Sequence, residues 1–386
     1  MENMDLKYVM HTYARNYTYF VRGKNATLFD KSGLDYIDFT SGIGVCSVGH
    51  GNKKLSKTIE IQSKNLIHTS NLYAIEPQAK LAKKLVKLSG YDMRVFFSNS
   101  GAEANECAIK IARKFGNSSN RYEIITLDSS FHGRTITTLK ATAQEKMHKF
   151  FNPFPDGFVY AKDLDDIRNK ITDKTCAVML ELIQGEGGIS PLDKHKVQSI
   201  AKYLKKKNIL LILDEVQSGI YRSGELFAST LYDITPDIIT TAKGLGGGVP
   251  IGATLSTLKD IFSFGDHGST FGGNFLSTSA ALTTLDILSN LKENHKLDKT
   301  IKYFNKKLEK FQKEYCDIFT QKVGIGLMLG LRMKDENTLK TLIHKAHKNR
   351  VLILKSGKNT ARFLPPLTIS KDEINEGFKR LKKSII

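Results

Sequence analysis

Cysteine is scarce in this sequence and is not arranged for bonding. Cys46, Cys107, Cys176 and Cys316 stand far apart with no Cys-x-x-Cys, a spacing that suggests neither a disulfide framework nor a zinc site. Cys107 and Cys176 fall in apolar segments and read as core residues. A reducing, cytoplasmic setting fits that usage. Proline is also sparse, 8 residues against 30 glycines, and several glycines cluster beside apolar runs, as working turns do and flexible linkers do not. Long hydrophobic runs are missing. Stretches such as Ile209 to Leu213 are far too short to span a bilayer, so no membrane partner is expected. Met1 to Met10 is charged and lacks the apolar core of a secretory signal. Repeats and low-complexity tracts are absent as well.

Acidic residues are in the minority, 39 against 58 Lys and Arg, for a formal net charge of +19. Nucleic acid is the first partner such a charge suggests. The basic residues are scattered, however, as pairs such as Lys53-Lys54 and one triplet, Lys205 to Lys207, with no basic arm and no basic-aromatic sheet motif. This reads as a solvated lysine-rich surface that also attracts anionic substrates, and no nucleic-acid partner is expected. The 386 residues, 40% hydrophobic, suffice for a large core in two domains, or one domain with an appendage.

Short apolar runs alternate with helical patterns in the middle of the chain. The runs Arg94 to Phe97, Glu123 to Leu127, Phe158 to Tyr160, Thr175 to Ile183, Ile209 to Leu213 and Asp237 to Thr241 read as strands covered on both faces. Between them, Ala104, Cys107, Ala108, Ile111, Ala112 and Phe115 keep helical spacing, as does Lys194 to Lys207. The pattern predicts an α/β fold with a largely parallel sheet and helices on both faces. The last hundred residues differ: a lysine-rich helix striped by Ile301, Phe304, Leu308, Phe311 and Tyr315, short strands near Ile325 to Leu331 and Val351 to Leu354, and a helix from Asp372 predict a smaller α+β domain. The expected division is a segment 1–45 packed on the small domain, a large domain 46–285 and a small domain 286–386.

Ligands of open parallel sheets bind at the carboxyl ends of the strands, and four polar features fall there. Ser98-Asn99-Ser100-Gly101-Ala102 opens a helix, whose free N–H groups suit a phosphate or simply an N-cap; it is neither a Walker loop nor a Gly-x-Gly-x-x-Gly turn. Asp214 ends a buried strand and needs a partner, either a protonated ring nitrogen or an arginine or helix N-terminus; no ligand cluster supports a metal. Lys243, at a strand end before four glycines in five residues, is placed either as an amine nucleophile or as a surface lysine in a loop. Phe131-His132-Gly133-Arg134 offers a stacking ring and a guanidinium for a carboxylate, or a core Phe and a surface Arg; His132 alone reads as structural. Together they supply a phosphate cradle, a ring-nitrogen carboxylate, an amine and a stacking ring, the needs of pyridoxal phosphate.

These segments resemble the class III (ornithine-type) aminotransferases of the fold-type-I pyridoxal-phosphate family. The likeness runs from Phe20-Val21-Arg22-Gly23 through Asp38 to Ile43, Gly49-His50, His68 to Tyr73, Asn99 to Glu106 and Gln184 to Gly188, to Arg362-Phe363-Leu364-Pro365-Pro366-Leu367. Its most specific parts are Leu213 to Gly219 and Thr241 to Gly244. The resemblance implies a mostly parallel sheet of the seven-stranded type flanked by helices. It implies pyridoxal 5'-phosphate held covalently by Lys243, which also shuttles protons, with Asp214 on the pyridinium nitrogen. It further implies Gln217 on the ring-hydroxyl side, Glu215 among the cofactor-binding residues, Val216 and Phe131 sandwiching the ring, and Ser100, Gly101 and Ala102 on the phosphate. Thr270 would bind the phosphate of a neighbouring subunit's cofactor, which makes the active unit a homodimer. Arg134 and Ser269 would contact substrate, with Glu186 and Arg362 as a gate. Within the family the chain is most similar to members that exchange the terminal amine of an acylated diamino acid with 2-oxoglutarate/glutamate in arginine biosynthesis. Where ornithine δ-aminotransferases carry a Tyr that holds free ornithine, this chain has Ile43, which fits an acylated amine and also fits 4-aminobutyrate. A different class of reading, a basic nucleic-acid-binding protein on an inactive enzyme fold, is opposed by the retention of Lys243 and Asp214.

Overall fold

The computed structural model describes residues 2–385, and its centre is a seven-stranded sheet. In spatial order the strands are Arg94–Ser98, Gly252–Ser256, Ile238–Thr241, Leu210–Asp214, Thr175–Leu180, Glu123–Leu127 and Phe158–Ala161. All run parallel except Gly252–Ser256, which is antiparallel to both neighbours. Consecutive side chains of the apolar runs go to opposite faces. Ile124, Ala177, Leu210 and Ile212 pack with Cys107, Ala108, Ile111 and Ala112 of the helix Gly101–Asn117. Ile125, Val178, Leu211 and Leu213 pack with Val197, Ile200 and Leu204 of the helix Lys194–Lys206 on the other face. Each fully buried Ile or Leu contributes roughly 1.5–3 kcal/mol, which is why these runs read as continuous hydrophobic stretches.

Three departures from the sequence expectations have physical causes. The strand Gly252–Ser256 was not foreseen, because its Thr254 and Ser256 look like a polar turn; Thr254 is buried, and its hydroxyl donates to the carbonyl of Ala104 at 2.8 Å. The run Thr175 to Ile183 is two elements, Thr175–Leu180 and Ile183–Gln184, broken at Glu181. The stretch Ile325 to Leu331 is strand, as expected, but belongs to two strands, Phe319–Ile325 and Met328–Met333, joined by a hairpin turn at Gly326 and Leu327, where Gly326 at φ 65° takes a conformation that side chains resist.

The first forty residues are tied to the last hundred. The strand Asp35–Asp38 runs parallel to Val351–Leu352, and Glu373 accepts from the backbone N–H of Ala26 at 2.8 Å. Asp38 anchors the turn that enters the site. Its Oδ1 accepts from the Thr40 N–H and hydroxyl and from the Ser41 N–H, and its Oδ2 is 2.8 Å from His50 Nε2. The buried Asp38 carboxylate, followed by Cys46, pushes His50 up to about 10. A folded-state value raised above the unfolded one gives stability that is complete below about pH 6.5 and is lost as pH rises through about 10. The thermal midpoint of the wild type should therefore fall more steeply from pH 7 to 10 than that of His50→Gln. Parallel melting curves across that range would contradict the assignment.

Candidate active site

A cavity of about 420 Å³ opens at the carboxyl edge of the sheet, where the loops after five parallel strands converge. A cavity of a few hundred Å³ is of the size that encloses a small cofactor. Of the residues singled out in the sequence, Ser100, Gly101, Ala102, Phe131, Arg134, Asp214, Val216, Gln217 and Lys243 line it.

The phosphate end is built by the start of the helix Gly101–Asn117. Ser100 caps it, accepting from the Glu103 N–H at 3.2 Å, while the Glu103 carboxylate accepts from the Asn99 N–H at 2.7 Å. The N–H groups of Gly101 and Ala102 belong to the first turn and have no intrahelical acceptor, so they are left for an anion. Gly101 is required here, since a Cβ would lie 2.7 Å from a methyl carbon of Val216.

Asp214 is buried at the end of its strand. Its Oδ2 accepts from Asn105 Nδ2 at 2.7 Å and lies 2.8 Å from His132 Nδ1, and its Oδ1 accepts from the Val216 N–H at 3.0 Å. A carboxylate offers about four acceptor positions; three are used, and the remaining one serves the cavity. Asn105 is oriented in turn by the Thr240 hydroxyl, which donates to its Oδ1 at 2.6 Å. Lys243 sits at φ 39° between Ala242 and Gly244, a conformation rare for a residue with a side chain and typical of strained functional positions. Burial lowers its affinity for a proton; Asp214 and Glu186 oppose that, and Arg362 adds to it. The following turn needs Gly247, at φ 60°, because a Cβ would meet the Thr284 hydroxyl at 2.7 Å.

Glu186 and Arg362 adjoin the cavity and do not line it. Arg362 Nη1 donates to Glu186 Oε1 at 2.5 Å and lies 3.4 Å from Gln217 Oε1, so the ion pair touches the cavity wall. Arg134 is exposed, has no ion pair among the described residues, and lies over the Phe131 ring at 5.6 Å. Ser269 adjoins through Asn99, whose Nδ2 is 3.3 Å from its hydroxyl. Thr270 is exposed and outside the cavity.

One expectation is corrected. The Glu215 side chain does not line the cavity; it accepts from the Ser218 hydroxyl and from the N–H groups of Ala228 and Ser229, at the start of a short helix. Ile43 is exposed on the turn Ser41–Gly44, and Val45 of the same segment lines the cavity. The sequence reading assigned no role to Asn105 and Glu181 and took His132 as structural; all three line the cavity, and His132 does act structurally, beside Asp214. Glu181 carried the same signal as Asp214, a carboxylate after an apolar strand, but was hidden within a run taken as one strand.

The donors fit pyridoxal phosphate: free N–H groups for a phosphate, a buried carboxylate for a ring nitrogen, an apolar pair for the ring faces and an amine of weakened basicity. Such a cavity on such a sheet defines a pyridoxal-phosphate-dependent transferase. The chain belongs to the class-III aminotransferase family, whose model matches residues 8–385. It is 62% identical to the acetylornithine aminotransferase of Wolinella succinogenes, covering 100% of this chain and 99% of that protein. Among solved structures it is similar to N-acetylornithine aminotransferase from Stenotrophomonas maltophilia (33% identity, TM-score 0.84, 100% and 98% of the two chains). It is also similar to ornithine aminotransferase from Toxoplasma gondii with partial occupancy of its active site by pyridoxal phosphate (29% identity, TM-score 0.93, 99% and 92%).

Proposed function

We propose that this protein transfers the terminal amine of N-acetylornithine to 2-oxoglutarate, giving N-acetylglutamate 5-semialdehyde and glutamate, in cytoplasmic arginine biosynthesis. One observation carries the reading. Of two guanidinium groups at the cavity, Arg134 is free and Arg362 is neutralised by Glu186. A substrate with one carboxylate needs only Arg134. Glutamate has two and needs Arg362 as well, which requires Glu186 to move aside. The Glu186 side chain is 30% exposed, so it has room to move, while Arg362 is 4% exposed and stays. The same layout admits succinyl-diaminopimelate, succinylornithine or 4-aminobutyrate as amine donors. A donor screen of the purified protein that follows glutamate formation from 2-oxoglutarate tests the assignment; a stronger preference for 4-aminobutyrate than for acetylornithine would sink it.

The bound cofactor supplies an electron sink for the carbon whose proton is removed. The chain's own part is division of labour. Ser100, Gly101 and Ala102 would hold the phosphate end, Val216 and Phe131 would hold the ring between them, and Gln217 would face its hydroxyl side. Asp214 would keep a proton on the ring nitrogen, and Lys243 Nζ would attach the cofactor and take and return the substrate proton. A homodimer completes the site, with Thr270 reaching the other subunit's phosphate. In support, Leu72, Tyr73 and Phe271 are exposed, and Asn71 Nδ2 joins their two segments by donating to the carbonyls of Ser269 and Gly272 at 3.0 and 2.9 Å. Sedimentation of the fully active enzyme as a monomer would contradict this.

Glu186→Ala should favour the glutamate half-reaction and weaken the acetylornithine one. A charge-assisted contact is worth about 1.5–3 kcal/mol. Partial exposure reduces that, and the expected change in preference is roughly tenfold. Stopped-flow spectra separate the halves; an equal loss in both would show that Glu186 only braces the fold.

A further inference from the structure

Glu181 is buried in the cavity wall and appears in none of the roles above, yet its two carboxylate oxygens go to two different loops. Oε2 accepts from the backbone N–H of Phe131 at 2.9 Å, and Oε1 accepts from the backbone N–H of Gly185 at 3.1 Å. Phe131 begins the loop that carries Arg134, three residues on. Gly185 precedes Glu186, and its carbonyl lies 3.4 Å from Arg362 Nη1 and accepts from the Ser356 hydroxyl at 2.7 Å. One buried carboxylate therefore bridges the loop of the free guanidinium and the turn that neutralises the other.

We propose that Glu181 is the positioning residue that fixes the spacing between the two carboxylate grips, Arg134 and Arg362, and so sets the length of dicarboxylate that the site accepts. The inference rests on the two-grip reading above. Its physical basis is the asymmetry of a carboxylate. Burial pushes Glu181 up to about 7 against the pull of the two N–H groups; once ionised, above that pH, it accepts on both oxygens, so both backbone N–H groups are satisfied at once. No other side chain of this size does that: glutamine accepts on one side and presents an N–H on the other, which leaves one loop N–H facing a donor. The bridge is rigid because the groups it joins are backbone, which cannot rotate away. Glu181 is buried, so each of its bonds is stronger than it would be in water. Ser356 holds the far side of the Gly185 turn, and Thr142 holds the far side of the other loop by accepting from the His132 N–H at 2.8 Å. Between these two anchors Glu181 is the shared strut.

Loosening the strut affects ligands according to how many grips they use. A monocarboxylate engages Arg134 alone and tolerates a change in spacing. A dicarboxylate engages both and does not. Only the selection among dicarboxylates of different length reads the spacing itself, since a general loss of packing lowers all of them alike.

The test uses holoenzyme and three dicarboxylates that carry no amine: succinate, glutarate and adipate, with four, five and six carbons. Calorimetric Kd values are compared among wild type, Glu181→Gln and Glu181→Asp, each checked for intact folding by thermal melting. Aspartate keeps the charge but is one methylene too short to reach both N–H groups, so it serves if the glutamine variant does not fold. The wild type should bind glutarate most tightly. The variants should lose that preference by about tenfold, the worth of one hydrogen bond to a charged group. Folded variants that rank the three ligands as wild type does, or weaken all three by one factor, would overturn the role. A wild type that neither binds glutarate nor accepts glutamate would instead overturn the two-grip site, and this inference with it.

Discussion

Lys243→Ala should lower transamination on the order of 10³-fold or more while the protein still folds and retains cofactor. Two features of the amine give this size. In the proposed reaction it would be both the nucleophile for the cofactor's carbonyl and the base that moves the substrate proton; general base catalysis alone contributes about 10²–10⁴. Burial at the strand end weakens the hold of Lys243 on its proton, which frees the lone pair for both tasks. Folding should be spared because no described residue relies on Nζ for a hydrogen bond or ion pair, so truncation orphans no partner. The cavity-lining groups proposed to hold the phosphate and ring, Gly101, Ala102, Val216 and Phe131, are untouched. Borohydride reduction of the wild type followed by peptide mapping should place the cofactor on Lys243, and desalting of the alanine variant should leave cofactor bound. A label on another lysine would refute the assignment outright.

Asp214→Asn should lower both half-reactions by about 10²–10³, the range seen when one preorganised electrostatic contact is removed. The amide is nearly isosteric but carries no charge to hold a proton on a ring nitrogen. It also meets donors on both sides, since Asn105 Nδ2 and the Val216 N–H both point at the present carboxylate. The amide N–H₂ must therefore face one of them, and the cofactor should bind more weakly as well. The two effects can be told apart. Saturating cofactor restores occupancy but not rate, and the loss should be equal for glutamate and acetylornithine because Asp214 contacts neither. A loss confined to one half-reaction would move Asp214 from the cofactor to the substrate side. Glu186→Ala is the contrasting case, with small and opposite effects in the two halves.

Much of this site could be read from the chain because each signal was local. An apolar strand that stops at a carboxylate announces Asp214; one that stops at a lysine followed by glycines announces Lys243; Ser100 before Gly101 and a helical pattern announces the N-terminus that faces a phosphate. Burial of the strand on both faces makes a polar residue at its end conspicuous. The same rule failed at Glu181, because two apolar residues, Leu182 and Ile183, follow it and the strand seemed to continue. Glu215 was misread for the opposite reason: it is next to Asp214 in the chain, but successive side chains at a strand end point to opposite sides, and it is held by Ala228 and Ser229.

The sequence by itself determined six of the sheet's seven strands, the helix that opens at Gly101, and the chemistry of the amine and carboxylate, because propensity, periodicity and capping act over a few residues. Only the tertiary structure decided which groups meet. Arg362 and Glu186 are 176 residues apart, and Asp214 finds His132 and Asn105 across 82 and 109. Those pairings depend on how the helices lie on the sheet and how the C-terminal strands Leu354–Ser356 and Thr360–Phe363 come to rest against the turn at Gly185. Packing of that kind is set by the summed burial of some dozens of side chains, not by any residue in the motif, so a local pattern can supply the groups of a site but not the distances between them.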